Sequence, residues 1–193
     1  TRQKILRQAA ELFNQQGYAG ASMSDLMQVT GLQKGGIYNH FHSKDELALA
    51  AFDFATHRIQ QKFMGALKGK RHAGDRLLAI LSVYQHMLDD PPIQGGCPIL
   101  NTAIESDDAH PALRERAQHA MNAWRILIQR IVDKGVIRGE LHPSVDADTA
   151  ATILIATIEG GVMLSKLYGD ACHLERALEH LKTYVHAQLV TPG

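Results

Sequence analysis

The chain has 193 residues, a length that fits one large domain or two small ones. Hydrophobic residues make up 45% and charged residues 21%, ordinary values for a globular protein, and two cysteines exclude a disulfide framework. Basic and acidic side chains cancel overall, but residues 1–72 carry 10 basic and 5 acidic side chains, whereas residues 73–193 carry 10 and 15. This asymmetry predicts an N-terminal module that binds an anion.

Nothing in the chain predicts secretion or a membrane span. No secretory signal is recognisable at the start. The longest apolar run, residues 150–164, is interrupted by Thr152, Thr157 and Glu159, and it is shorter than the roughly 20 residues that cross a bilayer. We therefore expect a cytoplasmic protein with no membrane partner.

Helical periodicity dominates the sequence, and no stretch alternates as a strand does. Gly17 is a natural end for the first helix. Ser22 with Asp25 forms an acidic capping box, and Ser43 with Glu46 forms a complete one, so each serine marks a helix start. The predicted helices cover about residues 2–16, 23–30, 34–41, 44–68, 75–89, 98–107, 111–134, 147–168 and 171–189.

The polar stretch KGKRHAGD, residues 68–75, predicts a domain boundary. We expect an N-terminal domain at residues 1–50, a connecting helix and linker at 51–74, and a larger helical domain at 75–193.

The stretch GLQKGGIYNHFHSKDEL, residues 31–47, contains the most unusual local choice. Two short helices across a glycine turn predict a helix-turn-helix at about residues 22–41, with the second helix entering the DNA major groove. Gly35 and Gly36 in the first turn of that helix would let backbone N–H groups approach a phosphate or base edge closely. On composition alone, a loop-rich helical hairpin is an equal alternative.

The order of residues separates these alternatives. SMSDLMQVTGLQKGGIYNHFHSKDEL, residues 22–47, and the preceding ILRQAAELFNQQGYAGASM resemble the DNA-binding domain of the TetR family of bacterial transcriptional regulators. The resemblance covers about residues 1–50. It implies an all-α, non-enzymatic protein that binds double-stranded DNA, with an N-terminal three-helix helix-turn-helix domain and a larger C-terminal helical domain for ligand binding and dimerisation.

The resemblance also implies roles for individual residues. Tyr38 and His40 resemble the family's phosphate-binding pair, and Lys44 resembles its phosphate-binding lysine. Asn39 occupies a base-reading position, and its amide can pair with adenine. Gly36 stands where the family usually has Thr, Ser or Ala, which puts a side-chain DNA contact there in doubt. The predicted DNA-binding residues are Ser22, Met23, Ser24, Lys34, Gly35, Gly36, Tyr38, Asn39, His40 and Lys44.

The resemblance implies an effector site among the helices from 75 to 168, and the aromatic residues and methionines there favour an apolar or aromatic molecule. A carboxylate in an apolar helix needs a partner, so Glu159 pairs either with a basic ligand or with Arg or His across a dimer. For most of the apolar candidates, a role as plain core is the favoured interpretation, because helical spacing alone places them inside. The candidates are Tyr84, Met87, Asn101, Glu105, Met121, Trp124, Glu159 and Met163.

Residues 147–168 form a helix that is apolar almost all round, so every face needs cover. One chain could supply this cover alone. The favoured alternative is a homodimer in which 147–168 and 171–189 pair with their copies as a four-helix bundle. Gly160 and Gly161 would then allow close helix approach, or only a local kink. A two-fold dimer implies a palindromic operator.

Cys97 follows two glycines and precedes Pro98, which predicts that it caps the next helix. At that position the helix dipole would lower the thiol pKa, and the glycines would leave the sulfur open. The arrangement loosely resembles TetR-family members that sense electrophiles or oxidants. The favoured alternative is a buried, inert thiol, because free cysteines are usually core residues, and Cys172 serves as a comparison.

These features favour a repressor of a neighbouring operon that an effector releases from its operator. One alternative is a repressor that senses electrophiles or oxidants through Cys97. Another is a helical ligand-binding or assembly protein without gene regulation. Eleven histidines show no metal-ligand spacing, and no cofactor or catalytic motif occurs, so we expect no metal site and no cofactor.

Overall fold

The computed structural model describes residues 1–85, 90–106 and 110–191, and nearly all secondary structure in these ranges is helical. One isolated antiparallel bridge joins Leu141 to Val190. The all-α prediction is confirmed. A π-helical turn, Val185–Leu189, continues the last α-helix. The α-helices are α1 (Arg2–Gly20), α2 (Met23–Thr30), α3 (Lys34–Tyr38), α4 (Lys44–Leu67), α5 (Ala73–Gln85), α6 (Pro98–Glu105), α7 (Pro111–Ile137), α8 (Ala147–Tyr168) and α9 (Cys172–Tyr184).

The chain divides into two compact units. The first unit contains Thr1–Gln60 and Pro92–Ala120, and the second contains Gln61–Pro91 and Met121–Gly193. Helices α4 and α7 therefore contribute residues to both. The predicted domain bounds, at residues 1–50, 51–74 and 75–193, stay a prediction.

Within the first unit, α1 to α4 share an apolar core that includes Leu26, Ile37 and Phe41. The Ser22–Asp25 capping box is present, as predicted. The Gly17 backbone is non-helical, with φ +79°, so the regular part of α1 stops there as predicted, and the residues after this kink add a short turn up to Gly20.

Helix α3 ends at Tyr38, three residues before the predicted end. Asn39 and His40 form a turn instead, which directs the Phe41 ring into the core with 1% of its surface exposed. Burial of this ring outweighs the continuation of a helix that already contains two glycines.

Within the second unit, α8 packs on α9 through Gly161, where an added Cβ would lie 2.9 Å from the Ala177 Cβ. Gly161 therefore permits close packing inside one chain, whereas a Cβ at Gly160 would meet open space. The Asp146 carboxylate caps α8 by accepting from the Thr149 N–H at 2.7 Å.

Helix α8 bears on the expectation that the chain has no membrane span. In the described ranges it is the one helix long and apolar enough to cross a membrane, judged by length and composition, with a mean hydropathy of 1.4 over its most apolar stretch. Half of that stretch is buried in the protein. Core helices of soluble proteins have the same length and composition, so this feature alone is weak evidence for a span.

Candidate DNA-binding surface and effector site

The helix-turn-helix is held by local hydrogen bonds and a shared core. The Thr30 hydroxyl, itself buried, donates to the Leu26 carbonyl at 2.6 Å and fixes the last turn of α2. Gly31 then reverses the chain with φ +68°. Because Ile37 of α3 is buried against the core, the opposite side of the α3 segment faces solvent.

All ten predicted DNA-binding residues are at least partly accessible. Met23, Gly36, Tyr38 and Lys44 are half-buried. The other six are exposed: Ser22, Ser24, Lys34, Gly35, Asn39 and His40. These residues come from one helix-turn-helix and the start of the following helix, elements from which such a motif contacts bases and phosphates.

The fold does not require glycine at the start of α3. A Cβ at Gly35 would have no neighbour within 4 Å, and one at Gly36 would make an ordinary contact of 3.5 Å with the Leu32 Cβ. Neither glycine has a positive φ. Packing and backbone geometry inside the chain therefore give no reason for this pair.

Two contacts with Tyr18 hold the Lys44 side chain. Its Nζ donates to the Tyr18 carbonyl at 2.7 Å and lies 4.3 Å from the Tyr18 ring centroid. The Tyr18 hydroxyl donates to the Asp45 carboxylate, and burial together with Asp45 raises the pKa of Tyr18 to about 12. An ammonium group has three hydrogens, so Lys44 can keep the Tyr18 bond and still donate to a phosphate.

Two effector candidates belong to the first unit and bond to α1. The Asn101 Nδ2 donates to the Asn14 Oδ1 at 2.8 Å and to the Gly95 carbonyl at 2.9 Å. The Glu105 carboxylate accepts from the N–H groups of Tyr18 and Ala19 at 2.9 and 2.8 Å. Helix α6 thus fixes the backbone that follows the Gly17 kink.

Aromatic rings form a cluster in the second unit. Tyr84 and Trp124 stack with centroids 5.6 Å apart, and Phe63 lies 5.9 and 6.0 Å from them. The Trp124 Nε1–H is buried without a hydrogen-bond acceptor among the described residues. Buried N–H donors are almost always hydrogen-bonded. An acceptor atom on a bound ligand would pair with the Trp124 N–H. Sequence reasoning missed Phe63 because it lies in the predicted connecting helix.

The remaining effector candidates are placed differently. Glu159 is 7% exposed and Met121 is half-buried. Met163 is 46% exposed, which differs from its predicted position inside the helices. Met87 lies outside the described residues.

Cys97 is the N-cap of α6, with Pro98 at the first helical position, so this prediction is confirmed. The expectation of an open sulfur is wrong, because Cys97 is 2% exposed, and the favoured alternative of a buried thiol is confirmed. Asn14 causes this burial: its Nδ2 donates to the carbonyls of Gln94 and Gly96 at 2.8 and 2.9 Å and binds the loop to α1.

Cys172 is half-buried and belongs to a small polar cluster with Asp170 and His173. Its thiol donates to the Asp170 carboxylate at 3.0 Å, which raises the pKa of Cys172 because the acceptor stabilises the protonated form. Metal binding needs the thiolate, so this hydrogen bond opposes it.

Comparison with known proteins identifies related chains. Residues 5–51 match the family model described as "Bacterial regulatory proteins, tetR family", and residues 73–181 match "Tetracyclin repressor-like, C-terminal domain". A TetR transcriptional regulator from Chloroflexus aurantiacus is 49% identical, with a TM-score of 0.95 over 99% of this chain and 96% of that chain. The transcriptional regulator LmrA of Bacillus subtilis is 28% identical over 86% of each chain.

A further structural likeness concerns the fold alone. A cysteine mutant of the TetR-family regulator CifR, in complex with a 26-base-pair operator DNA, is 20% identical and has a TM-score of 0.84. The alignment covers 97% of this chain and 96% of that chain.

Proposed function

Because the chain belongs to the TetR family of DNA-binding transcriptional regulators, we propose that it represses a neighbouring operon and leaves its operator when an effector binds. The observation that carries this proposal is the accessible face of α3. It presents polar side chains and two glycines that the chain's own packing does not require. The alternative of a helical protein without gene regulation gives these features no role.

On the DNA, we assign base reading to Asn39 and phosphate binding to Tyr38, His40 and Lys44. Asn39 is exposed just after α3, where its amide can donate to and accept from adenine. The Tyr18 carbonyl positions the Lys44 ammonium before DNA arrives, so less side-chain entropy is lost on binding.

We propose a homodimer through α8 and the segment 171–189, with one half-site of a palindromic operator for each subunit. One face of α8 is exposed in the single chain. This exposure favours a dimer over the alternative in which one chain buries every face of the helix. Met163, Leu164, Leu167 and Tyr168 are 46%, 36%, 71% and 66% exposed. Their three- and four-residue spacing forms one apolar patch, which a second copy would bury.

The dimer proposal is tested by sedimentation of variants. Leu167→Glu should convert the dimer to monomers and reduce operator affinity, because the charge would be buried between two copies. Ile137→Glu is the matched control, since Ile137 is 83% exposed and lies at the end of α7. Equal sedimentation of both variants as dimers would place the interface elsewhere.

We propose that the effector is apolar or aromatic and binds at the cluster of Phe63, Tyr84 and Trp124. A ligand with a hydrogen-bond acceptor would pair with the Trp124 N–H and stack on the rings. It can release DNA only by binding more tightly to a dimer whose recognition helices are wrongly spaced. Trp124 fluorescence reports such binding directly.

Inside the first unit, α6 has the contacts needed to influence the DNA-binding helices. Asn101 and Glu105 bond to α1, and Tyr18 of α1 bonds to Lys44 at the start of α4. A displacement of α6 would therefore act on Tyr18 and, through it, on a proposed phosphate contact.

We propose that this protein acts in the cytoplasm, where its operator DNA would be.

The test is a footprint on DNA upstream of the chain's own gene, with a reporter for the same promoter. We expect protection of two half-sites related by a two-fold axis and higher reporter expression when the regulator is deleted. Lower expression after deletion would make the protein an activator. Absence of any footprint at low salt would contradict operator binding at that promoter.

A further inference from the structure

A cleft lined by six basic side chains lies in the second unit, outside the helix-turn-helix. This cleft of about 480 Å³ is lined by the start of α5, the residues before it and the last turns of α7. Its volume falls in the range of small-molecule sites, roughly 300–1,000 Å³. The cations that line it are Lys70, Arg71, Arg76, Arg130, Lys134 and Arg138.

We propose that this cleft binds a small organic polyanion, such as a nucleotide-sized phosphate ester. Six cations face a single carboxylate, Glu140. That carboxylate is already bonded: it accepts from the Ala73 N–H at 2.8 Å and lies 3.8 Å from the Arg138 guanidinium. Among the residues that the structure describes, Arg138 is the only one of the six cations with an ion pair.

The cleft is basic although most of the chain that forms it is acidic on balance. Residues 73–193 carry more acidic than basic side chains, yet four of their ten basic residues line this cleft. On α7, Arg130 and Lys134 are four residues apart, and Arg138 follows four residues later. Like charges at this spacing repel each other, and a bound anion would remove that repulsion.

The helix dipole does not explain the arrangement. Lys134 lies in the last turn of α7, where a cation is favourable. Arg76, however, lies in the first turn of α5, where the dipole disfavours a cation. Its guanidinium donates to the Lys70 carbonyl at 3.1 Å, which holds the side chain beside the cleft. A ligand anion accounts for both positions.

The lining of the cleft favours a small molecule over a nucleic-acid backbone. Ala73, Ile131 and Gly135 are buried, and Leu127 is half-buried, so apolar atoms lie between the cations. A phosphate ester with an organic part can contact both kinds of surface. Guanidinium groups bind phosphate oxygens in pairs, which suits a ligand with several of them.

The test is calorimetry on the full chain with inorganic tripolyphosphate and with ATP, without magnesium, at physiological salt. We expect one tripolyphosphate per chain, with ATP bound more tightly because of its organic part. R130Q/K134Q should weaken both by at least about tenfold, since charge-assisted hydrogen bonds are lost. The matched control is R58Q/K62Q, an exposed pair with the same spacing on α4, which should bind like the wild type.

Thermal melting distinguishes a loss of ligand binding from a loss of folding, and it needs no operator DNA. Without ligand, R130Q/K134Q should melt at or above the wild-type temperature, because two repelling charges are removed. Tripolyphosphate should raise the melting temperature of the wild type and of R58Q/K62Q only. Absence of binding to the wild type, or equal losses in both variants, would overturn the proposal. So would weaker binding of random duplex DNA by R130Q/K134Q alone, which would make the cleft a nucleic-acid site.

Discussion

Two glycine pairs in the first unit have the same composition and opposite physical roles. At the start of α3, a Cβ on Gly35 would have no neighbour within 4 Å. In the loop before α6, Gly95 and Gly96 have φ values of +107° and +91°, and a Cβ on Gly95 would lie 2.7 Å from the Asn14 carbonyl oxygen. The loop pair is required by the fold, whereas the helix pair is not.

This difference shows how a glycine should be interpreted. Sequence alone suggested close approach of a partner for Gly35 and an open thiol next to Gly96. The structure gives the loop pair an internal reason, since it allows the chain to pack on α1 and bury Cys97. The helix pair has no such reason, so an external partner becomes the better explanation for it.

The largest expected effect is on stability at Gly95. Gly95→Ala should lower the free energy of unfolding by about 2–3 kcal/mol, since it adds a strained φ and a clash with backbone. Urea unfolding followed by circular dichroism measures this change. A loss as small as that of a surface substitution would show that the loop adapts.

The next effect concerns DNA binding by the α3 segment, where Asn39 is expected to read a base. Asn39→Ala should cost about 1–3 kcal/mol on the operator and little on random DNA. Lys44→Ala should weaken binding to every sequence and reduce the salt dependence by about one phosphate per subunit. Equal losses on operator and random DNA for Asn39→Ala would show that this side chain does not read bases.

Gly35→Ala separates folding from DNA binding. The variant should gain up to about 1 kcal/mol of stability, because alanine is the better helix former and its methyl group meets open space. Operator affinity should nevertheless fall by about tenfold, the order of one lost contact. Unchanged affinity would leave the glycine pair without a role in binding DNA.

Thiol reactivity is the smallest effect and reports on the loop pair. Native protein should react at Cys172, while buried Cys97 reacts only after unfolding or in Gly95→Ala. Because Asp170 raises the pKa of Cys172, the labelling rate should reach half its maximum above the pH usual for a thiol. Asp170→Asn should move this midpoint to lower pH. Fast labelling of Cys97 in the native protein would restore it as a sensor candidate.

Local features of this fold could be predicted from sequence, and long-range ones could not. The Ser22–Asp25 capping box and the bounds of α8 depend on neighbouring residues, and both were predicted correctly. A buried Cys97 was the favoured prediction, from the usual behaviour of free cysteine. The bonds that hold its loop come from Asn14, more than 80 residues earlier in the chain, and no local pattern reveals them. The meeting of Phe63 with Tyr84 and Trp124 likewise requires three helices to pack.

The most direct measurement is fluorescence anisotropy of the wild type with two labelled duplexes at physiological salt. One duplex carries the footprinted sequence from upstream of the chain's own gene, and the other is a scramble with the same composition. Specific recognition predicts tighter binding to the first by at least about a thousandfold. Equal affinity for both duplexes would contradict sequence-specific regulation and leave only charge-driven binding.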